Sequence, residues 1–167
     1  MSLAEGAVVE LRRLRVSDLK AIARFPFALS AYEPMSKLER AREVYDQTGF
    51  WTPDAGVAAI QAGDRLVGSI QYYRAGTSIH GLELAYQLLD PEDIGKGYAT
   101  EALRLLGDLL FAQHPNVRRL QLLVPRWDDT SARRVEDAGY ASEGLLRKAG
   151  FNADGPEDCL LYSKVRD

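Results

Sequence analysis

The chain has 167 residues, 46% of them hydrophobic and 27% charged, with a formal net charge of −3. That suits one soluble globular domain with room for a real core, and it excludes a sequence-independent nucleic-acid binder, which needs a basic face. No apolar run reaches the roughly 20 residues that span a bilayer, and the N-terminus lacks the charged, apolar and small-residue regions of a secretory signal.

The cytoplasm is therefore the expected setting. Cys159 is the only cysteine, so no intramolecular disulfide forms, which fits a reducing compartment. It stands in an apolar, strand-like run and reads as a buried structural thiol. His80 and His114 are scattered and give no ligand spacing, so no metal is expected.

No repeat or linker divides the chain, so one domain over 1–167 is expected, with Met1-Ser2-Leu3 set aside as a leader. Val8 to Arg12 alternates like a first strand. Ser17-Asp18 offers an N-cap for a short helix through about Arg24. Pro26 and Pro34 bracket an irregular segment. Ser36-Lys-Leu-Glu39 fits a capping box opening a second helix that ends near Gly49. Gly56 to Ile60 and Arg65 to Tyr73, joined by Gln61-Ala-Gly-Asp64, read as a hairpin. Leu82 to Leu89 is a strand. Gly97 to about Gln113 is helical, with Ala99, Ala102, Leu103, Leu106 and Leu110 on one face. Val117 to Val124 is an apolar, central strand. Ser131 to Ala138 is a short helix closed by Gly139. Gly144 to Lys148 and Asp158 to Val165 are the closing strands. This order predicts an α/β (α+β) domain: a mixed, mostly antiparallel sheet of six to seven strands with helices on both faces.

The chemistry-bearing stretch is Asp90-Pro-Glu-Asp-Ile-Gly-Lys-Gly-Tyr-Ala-Thr-Glu-Ala102. A strand runs into a glycine turn, and the turn opens a helix. Glycines let the backbone approach a ligand closely, and the first helical turn offers unpaired N–H groups at the positive end of the dipole. Together they make a cradle for a pyrophosphate, or else a helix start with turn glycines and no ligand. No Lys-Ser/Thr pair follows the second glycine, so the stretch is no P-loop. Thr100 stands where a dinucleotide fingerprint needs its third glycine or alanine, and four strands precede the motif rather than one.

The stretch resembles the coenzyme A pyrophosphate loop of the GNAT superfamily, R/Q-x-x-G-x-G/A, through Gly97 and Ala99. Gly95-Lys-Gly-Tyr-Ala-Thr-Glu-Ala102 is similar to the RimJ/RimL branch. Further segments resemble that branch in the same order. Asp128-Asp-Thr-Ser-Ala-Arg133 with Gly139-Tyr140 follows N-x-x-S-x-R…G-F. Ala141-Ser-Glu-Gly-Leu-Leu-Arg147 follows E-G-x-x-R, and Asp158 to Ser163 follows D-x-x-x-Y-S. Leu11-Arg-Arg-Leu14, before Asp18, is similar to its first strand. Three departures stand out: Ile94 replaces the usual Arg or Gln, Asp128 replaces the usual Asn, and the stretch from Glu83 to Gly95 is one residue longer than usual.

The resemblance implies an acetyl-coenzyme A-dependent N-acetyltransferase, in which a protein N-terminus or small-molecule amine attacks the thioester directly. No nucleic acid or membrane partner is implied, and the chain would be a monomer or homodimer. The alternative is an idle acyl-coenzyme A-binding or regulatory module of the same fold. Glu83 is the implied base; without a role it is an ordinary strand carboxylate. Backbone N–H groups near Leu88 and Leu89 would polarise the carbonyl. The superfamily's usual acid, a tyrosine in the later helix, falls on Val135 and is absent; Ser131 is the substitute, or else it caps its helix. The implied donor-binding set is Leu88, Leu89, Ile94, Gly95, Lys96, Gly97, Tyr98, Ala99, Thr100, Asp128, Ser131 and Arg133, with Lys96 and Arg133 near phosphate. The acceptor cleft is expected between Phe25 and Trp51. Tyr72, Tyr73 and Trp127 read as core.

Overall fold

The computed structural model describes all residues, 1–167. It holds eight strands and four helices in the order β1 (Ser2–Glu5), β2 (Glu10–Arg13), α1 (Val16–Ile22), α2 (Leu38–Thr48), β3 (Ala55–Ala62), β4 (Arg65–Arg74), β5 (Leu82–Leu88), α3 (Tyr98–Gln113), β6 (Arg119–Pro125), α4 (Asp129–Asp137), β7 (Ala141–Asn152) and β8 (Gly155–Val165). The strands form one sheet in the order β1-β2-β3-β4-β5-β6-β8-β7. Every neighbouring pair is antiparallel except β5 and β6, which are parallel. The α3 crossover between them imposes that direction, because parallel neighbours need a long connection.

The strand count exceeds the six to seven expected. The difference is Ser2 to Glu5, which overlaps the leader segment at Ser2 and Leu3 and pairs with β2 as an edge strand. Its turn is held from outside the sheet. Glu101, in the first turn of α3, accepts the backbone N–H groups of Ala7, Val8 and Val9 at 2.8, 2.7 and 2.7 Å. Burial alone would raise the Glu101 pKa, but these bonds outweigh it and hold the carboxyl below its ordinary value. This contact ties the N-terminal hairpin to the helix that carries the glycine turn.

Alternation along the strands divides the apolar residues between two faces. One face buries Ala58, Ile60, Ile70, Leu82, Leu84, Leu120 and Leu122 against Ala102, Leu103, Leu106 and Leu110 of α3 and Val135 of α4. The other buries Val57 and Ala59 against Leu19 and Ile22 of α1 and Ala41 of α2. Cys159 is buried, and burial raises its thiol pKa.

Several helix starts differ from expectation. Asp18 is not an N-cap. Arg15 takes that place, and Asp18 accepts its N–H at 2.7 Å while forming a buried bidentate pair with Arg12 of β2. The capping box at Ser36 and Glu39 does not form. The cap is Lys37, which leaves Ser36 outside the helix and Glu39 one position too early for the reciprocal bond. The helix expected to begin at Ser131 begins at Asp129, capped by Asp128, whose carboxylate accepts the Ser131 N–H at 3.0 Å. Trp127 is 69% exposed rather than core, with its indole N–H on Glu157. It lies on a turn past the end of β6.

Tyr140 carries the one buried side-chain polar atom without a partner. The hydroxyl packs near Gly107 and Leu120, and an unmet buried hydroxyl costs roughly 1–3 kcal/mol. Tyr140→Phe is expected to raise the melting temperature by roughly 2–4 °C, about 1 kcal/mol at this size. A lower melting temperature in calorimetry would mean that the hydroxyl has a partner in solution.

Candidate active site

The parallel strands β5 and β6 pair at only two positions, Leu82 with Leu120 and Glu83 with Gln121. Beyond them the strands separate. The gap opens into a cleft of about 510 Å³ lined by the end of β5, by Leu122 to Pro125 of β6, and by Asp128, Ser131 and Arg134 at the start of α4. Sheet backbone is ordinarily paired, so a splay in the middle of a sheet exposes hydrogen-bonding groups. Leu89 is not among them, because its N–H donates to Val67 at 2.9 Å. By the alternation of an antiparallel ladder, the Leu88 N–H turns the other way, toward the gap. Of the two backbone donors expected there, Leu88 is the one available.

A second cleft of about 290 Å³ adjoins the first, sharing Leu88 and Arg134. It is lined by Gly95, Gly97, Tyr98, Ala99 and Thr100 on one side and by Thr130 and Arg133 of α4 on the other. Gly95 and Gly97 have φ of 89° and 81°, the left-handed region that only glycine enters cheaply. Gly97 is the N-cap of α3 and offers no side chain. The N–H groups of Tyr98, Ala99 and Thr100 find no acceptor in the protein. Three donors thus converge at a helix start with two arginines facing them, an arrangement suited to a pyrophosphate. A Cβ built on either glycine meets nothing within 4 Å, so the space before these donors is open.

The turn is anchored from below by a residue the sequence reading missed. Asp93 is buried, and its carboxylate receives both Arg65 guanidinium nitrogens at 2.7 Å and the Lys96 ammonium at 3.0 Å. The Arg65 bonds, followed by those of Lys96, hold its pKa far below the carboxylate range. Lys96 therefore neutralises Asp93 rather than facing the cleft. Ile94, half exposed, lines the larger cleft where a longer polar residue was expected.

Ser131 lines that cleft with its hydroxyl free of helix capping, since Asp128 does the capping. The hydroxyl accepts the Tyr86 phenol at 3.2 Å, and Tyr86 lines the same cleft. Tyr86 was not expected: it sits on β5, 45 residues from Ser131, and no local motif links them. Val135 is fully buried in the core.

Glu83 lies outside both clefts, on the α1/α2 face of β5. Its carboxylate accepts the Tyr73 hydroxyl at 3.1 Å and the Gln121 amide at 2.9 Å. Burial, then the charge of Glu83 and this bond, raise the Tyr73 pKa well above the phenol value, so Tyr73 remains a proton donor. The chain of contacts continues from Gln121 to Arg119 and from Arg119 to Glu143, which also accepts the Ser163 hydroxyl. The Arg119 bonds, with that of Ser163, push the Glu143 pKa down to about 2. The two closing-strand motifs thus meet at Glu143 and Ser163.

A mixed sheet split between two parallel strands, with a glycine-turned helix start at the mouth of the split, defines the acetyltransferase class of fold. The chain belongs to the GNAT family: the acetyltransferase (GNAT) domain model matches residues 9–152. Among curated proteins no sequence matches significantly. Solved structures share the fold at low identity. The ribosomal-protein-S5-alanine acetyltransferase of Vibrio fischeri is 22% identical, with TM-score 0.74 over 100% of this chain and 97% of its own. RimL, an alpha-N-protein acetyltransferase in complex with coenzyme A, is 17% identical, with TM-score 0.76 over 100% and 99%. The spermidine/spermine N-acetyltransferase SpeG of Vibrio cholerae is 20% identical, with TM-score 0.77 over 95% and 92%.

Proposed function

We propose that the protein transfers an acetyl group from acetyl-coenzyme A to a primary amine, as a member of the RimJ/RimL-like branch. The observation that carries this reading is the meeting of two features in adjoining clefts: the splay between β5 and β6, and the row of unpaired N–H groups at Gly97 to Thr100. The smaller cleft, with Arg133 and Arg134, takes the pyrophosphate. The larger takes the pantetheine arm and brings the thioester toward the Leu88 N–H, which polarises its carbonyl.

The amine nitrogen attacks that carbonyl directly. Glu83, directly or through water, removes the amine proton, the new C–N bond forms, and the C–S bond breaks. The thiolate takes a proton from Ser131, whose hydroxyl is resupplied by Tyr86; solvent then returns a proton to Tyr86 and takes one from Glu83. The products are an amide and the coenzyme A thiol. Much of the rate comes from holding amine and thioester together.

The test is free-thiol release from acetyl-coenzyme A with a panel of amines, beside the thermal shift produced by coenzyme A alone and by ATP alone. Stabilisation by coenzyme A with no thiol release would assign the chain to the idle binding module. Stabilisation by ATP but not coenzyme A would overturn the donor assignment.

The Tyr86–Ser131 pair carries its own prediction. Ser131→Ala and Tyr86→Phe are each expected to lower kcat less than tenfold, under about 1.4 kcal/mol of barrier, because a thiolate is a fair leaving group. The double variant should lose little more than either alone, the mark of groups acting in series. Independent, multiplying losses in steady-state kinetics would separate the two roles.

A further inference from the structure

The segment between α1 and α2 covers the β4–β5 face of the sheet, and three openings lie side by side beneath it. The cofactor cleft shares Phe25, Ala85, Tyr86 and Gln87 with a middle pocket of about 280 Å³. The middle pocket shares Gln71 with a third, of about 220 Å³, between the covering segment, α2 and strands β3 and β4. Gln71 and Ala85 are paired across the sheet, so the third pocket begins one strand from the cleft wall. Its inner edge is Tyr73, the residue that donates to Glu83.

The chemistry of this third pocket is uniform. None of the sixteen residues that line it is charged. Most of its polar side chains are already engaged: the hydroxyls of Tyr32, Thr48, Thr52, Tyr72 and Tyr73 and the amide of Gln71 each donate within the protein, and Ser30 Oγ accepts two backbone N–H groups. What remains for a ligand is apolar surface, from Met35, Phe50 and Trp51 among others. A cavity of roughly 150 Å³ holds benzene, so this one accommodates an isobutyl or benzyl group. A second ammonium placed there would lose its water and find no carboxylate to pair with.

We propose, resting on the transferase reading above, that the acceptor is an amine borne on a compact apolar group, aliphatic or aromatic. That group fills the pocket at Trp51 and leaves the amine near Tyr73, the donor to Glu83. Polyamines are disfavoured by the same lack of a carboxylate, which sets this chain apart from the spermidine-acetylating structure that shares its fold.

The experiment compares leucinamide, glycinamide and spermidine as acceptors by thiol release. It also follows Trp51 emission in a Trp127→Phe protein, where Trp51 is the only tryptophan. Leucinamide is expected to exceed glycinamide in kcat/KM by roughly tenfold to a hundredfold, to exceed spermidine by more, and to shift Trp51 emission saturably where spermidine does not. Ala31→Phe, which fills the pocket, should erase the preference for leucinamide over glycinamide. Equal or better turnover of glycinamide or spermidine by the unaltered protein overturns the proposal. If no amine turns over but leucinamide still shifts Trp51, the pocket assignment stands and the transferase reading falls. Absence of both responses removes both.

Discussion

Gly97→Val is expected to abolish coenzyme A binding while leaving the domain folded. Gly97 holds φ at 81° as the N-cap of α3, and a non-glycine residue in such a region costs about 1–3 kcal/mol. That is a fraction of the 5–15 kcal/mol that holds a typical domain together. The loss of binding has a different origin. A Cβ at Gly97 meets no protein atom within 4 Å, so the valine branches project into the space before the Tyr98, Ala99 and Thr100 donors, where a pyrophosphate must sit to reach them. Titration calorimetry should show affinity lower by at least a hundredfold, roughly 2.7 kcal/mol or more, with a melting temperature only a few degrees down. Gly97→Ala should lie between parent and valine, because it brings the strain with less bulk. Coenzyme A binding to Gly97→Val at parental affinity would show that the phosphates lie elsewhere.

The glycine turn is legible in the sequence because its geometry is local. Two glycines, a helix start and the strand before it are contiguous, and the physics that makes them an anion cradle acts over a few residues. The core face of α3 was legible for the same reason: Ala99, Ala102, Leu103, Leu106 and Leu110 recur at helical spacing and are all buried. Helix starts were less legible. Ser36 and Asp18 each have cap chemistry, yet tertiary contacts place the start one or more residues away, as where Asp18 turns to Arg12 on the neighbouring strand.

What no local pattern carries is pairing across the sheet. Tyr86 and Ser131 are 45 residues apart, Arg65 and Asp93 are 28 apart, and Glu83 and Gln121 are 38 apart. Each pair becomes adjacent only through strand register. The edge strand β1 was missed for a related reason. Four residues carry almost no periodic signal, and what holds them is the Glu101 carboxylate on a distant helix.

Register also sharpens the role proposed for Glu83. Its partners Tyr73 and Gln121 sit directly across on both neighbouring strands, so the carboxylate is fixed between two donors. Glu83→Gln keeps shape and volume while removing the charge and the capacity to take a proton. Below the pKa of the acceptor amine, kcat/KM is expected to fall roughly a hundredfold, the lower range for loss of a positioned general base. As pH rises toward the amine pKa, the amine arrives already deprotonated and the variant should converge on the parent. Coenzyme A affinity should be unchanged, because Glu83 touches neither cleft. Tyr73→Phe removes one donor but keeps the base, so it should lower kcat/KM by less while preserving the shape of the pH profile. A purely structural Glu83 predicts the opposite pattern: a lower melting temperature for Glu83→Gln, with a pH–rate profile parallel to the parent's at every pH. That parallel profile would remove Glu83 from the mechanism and leave proton transfer to water.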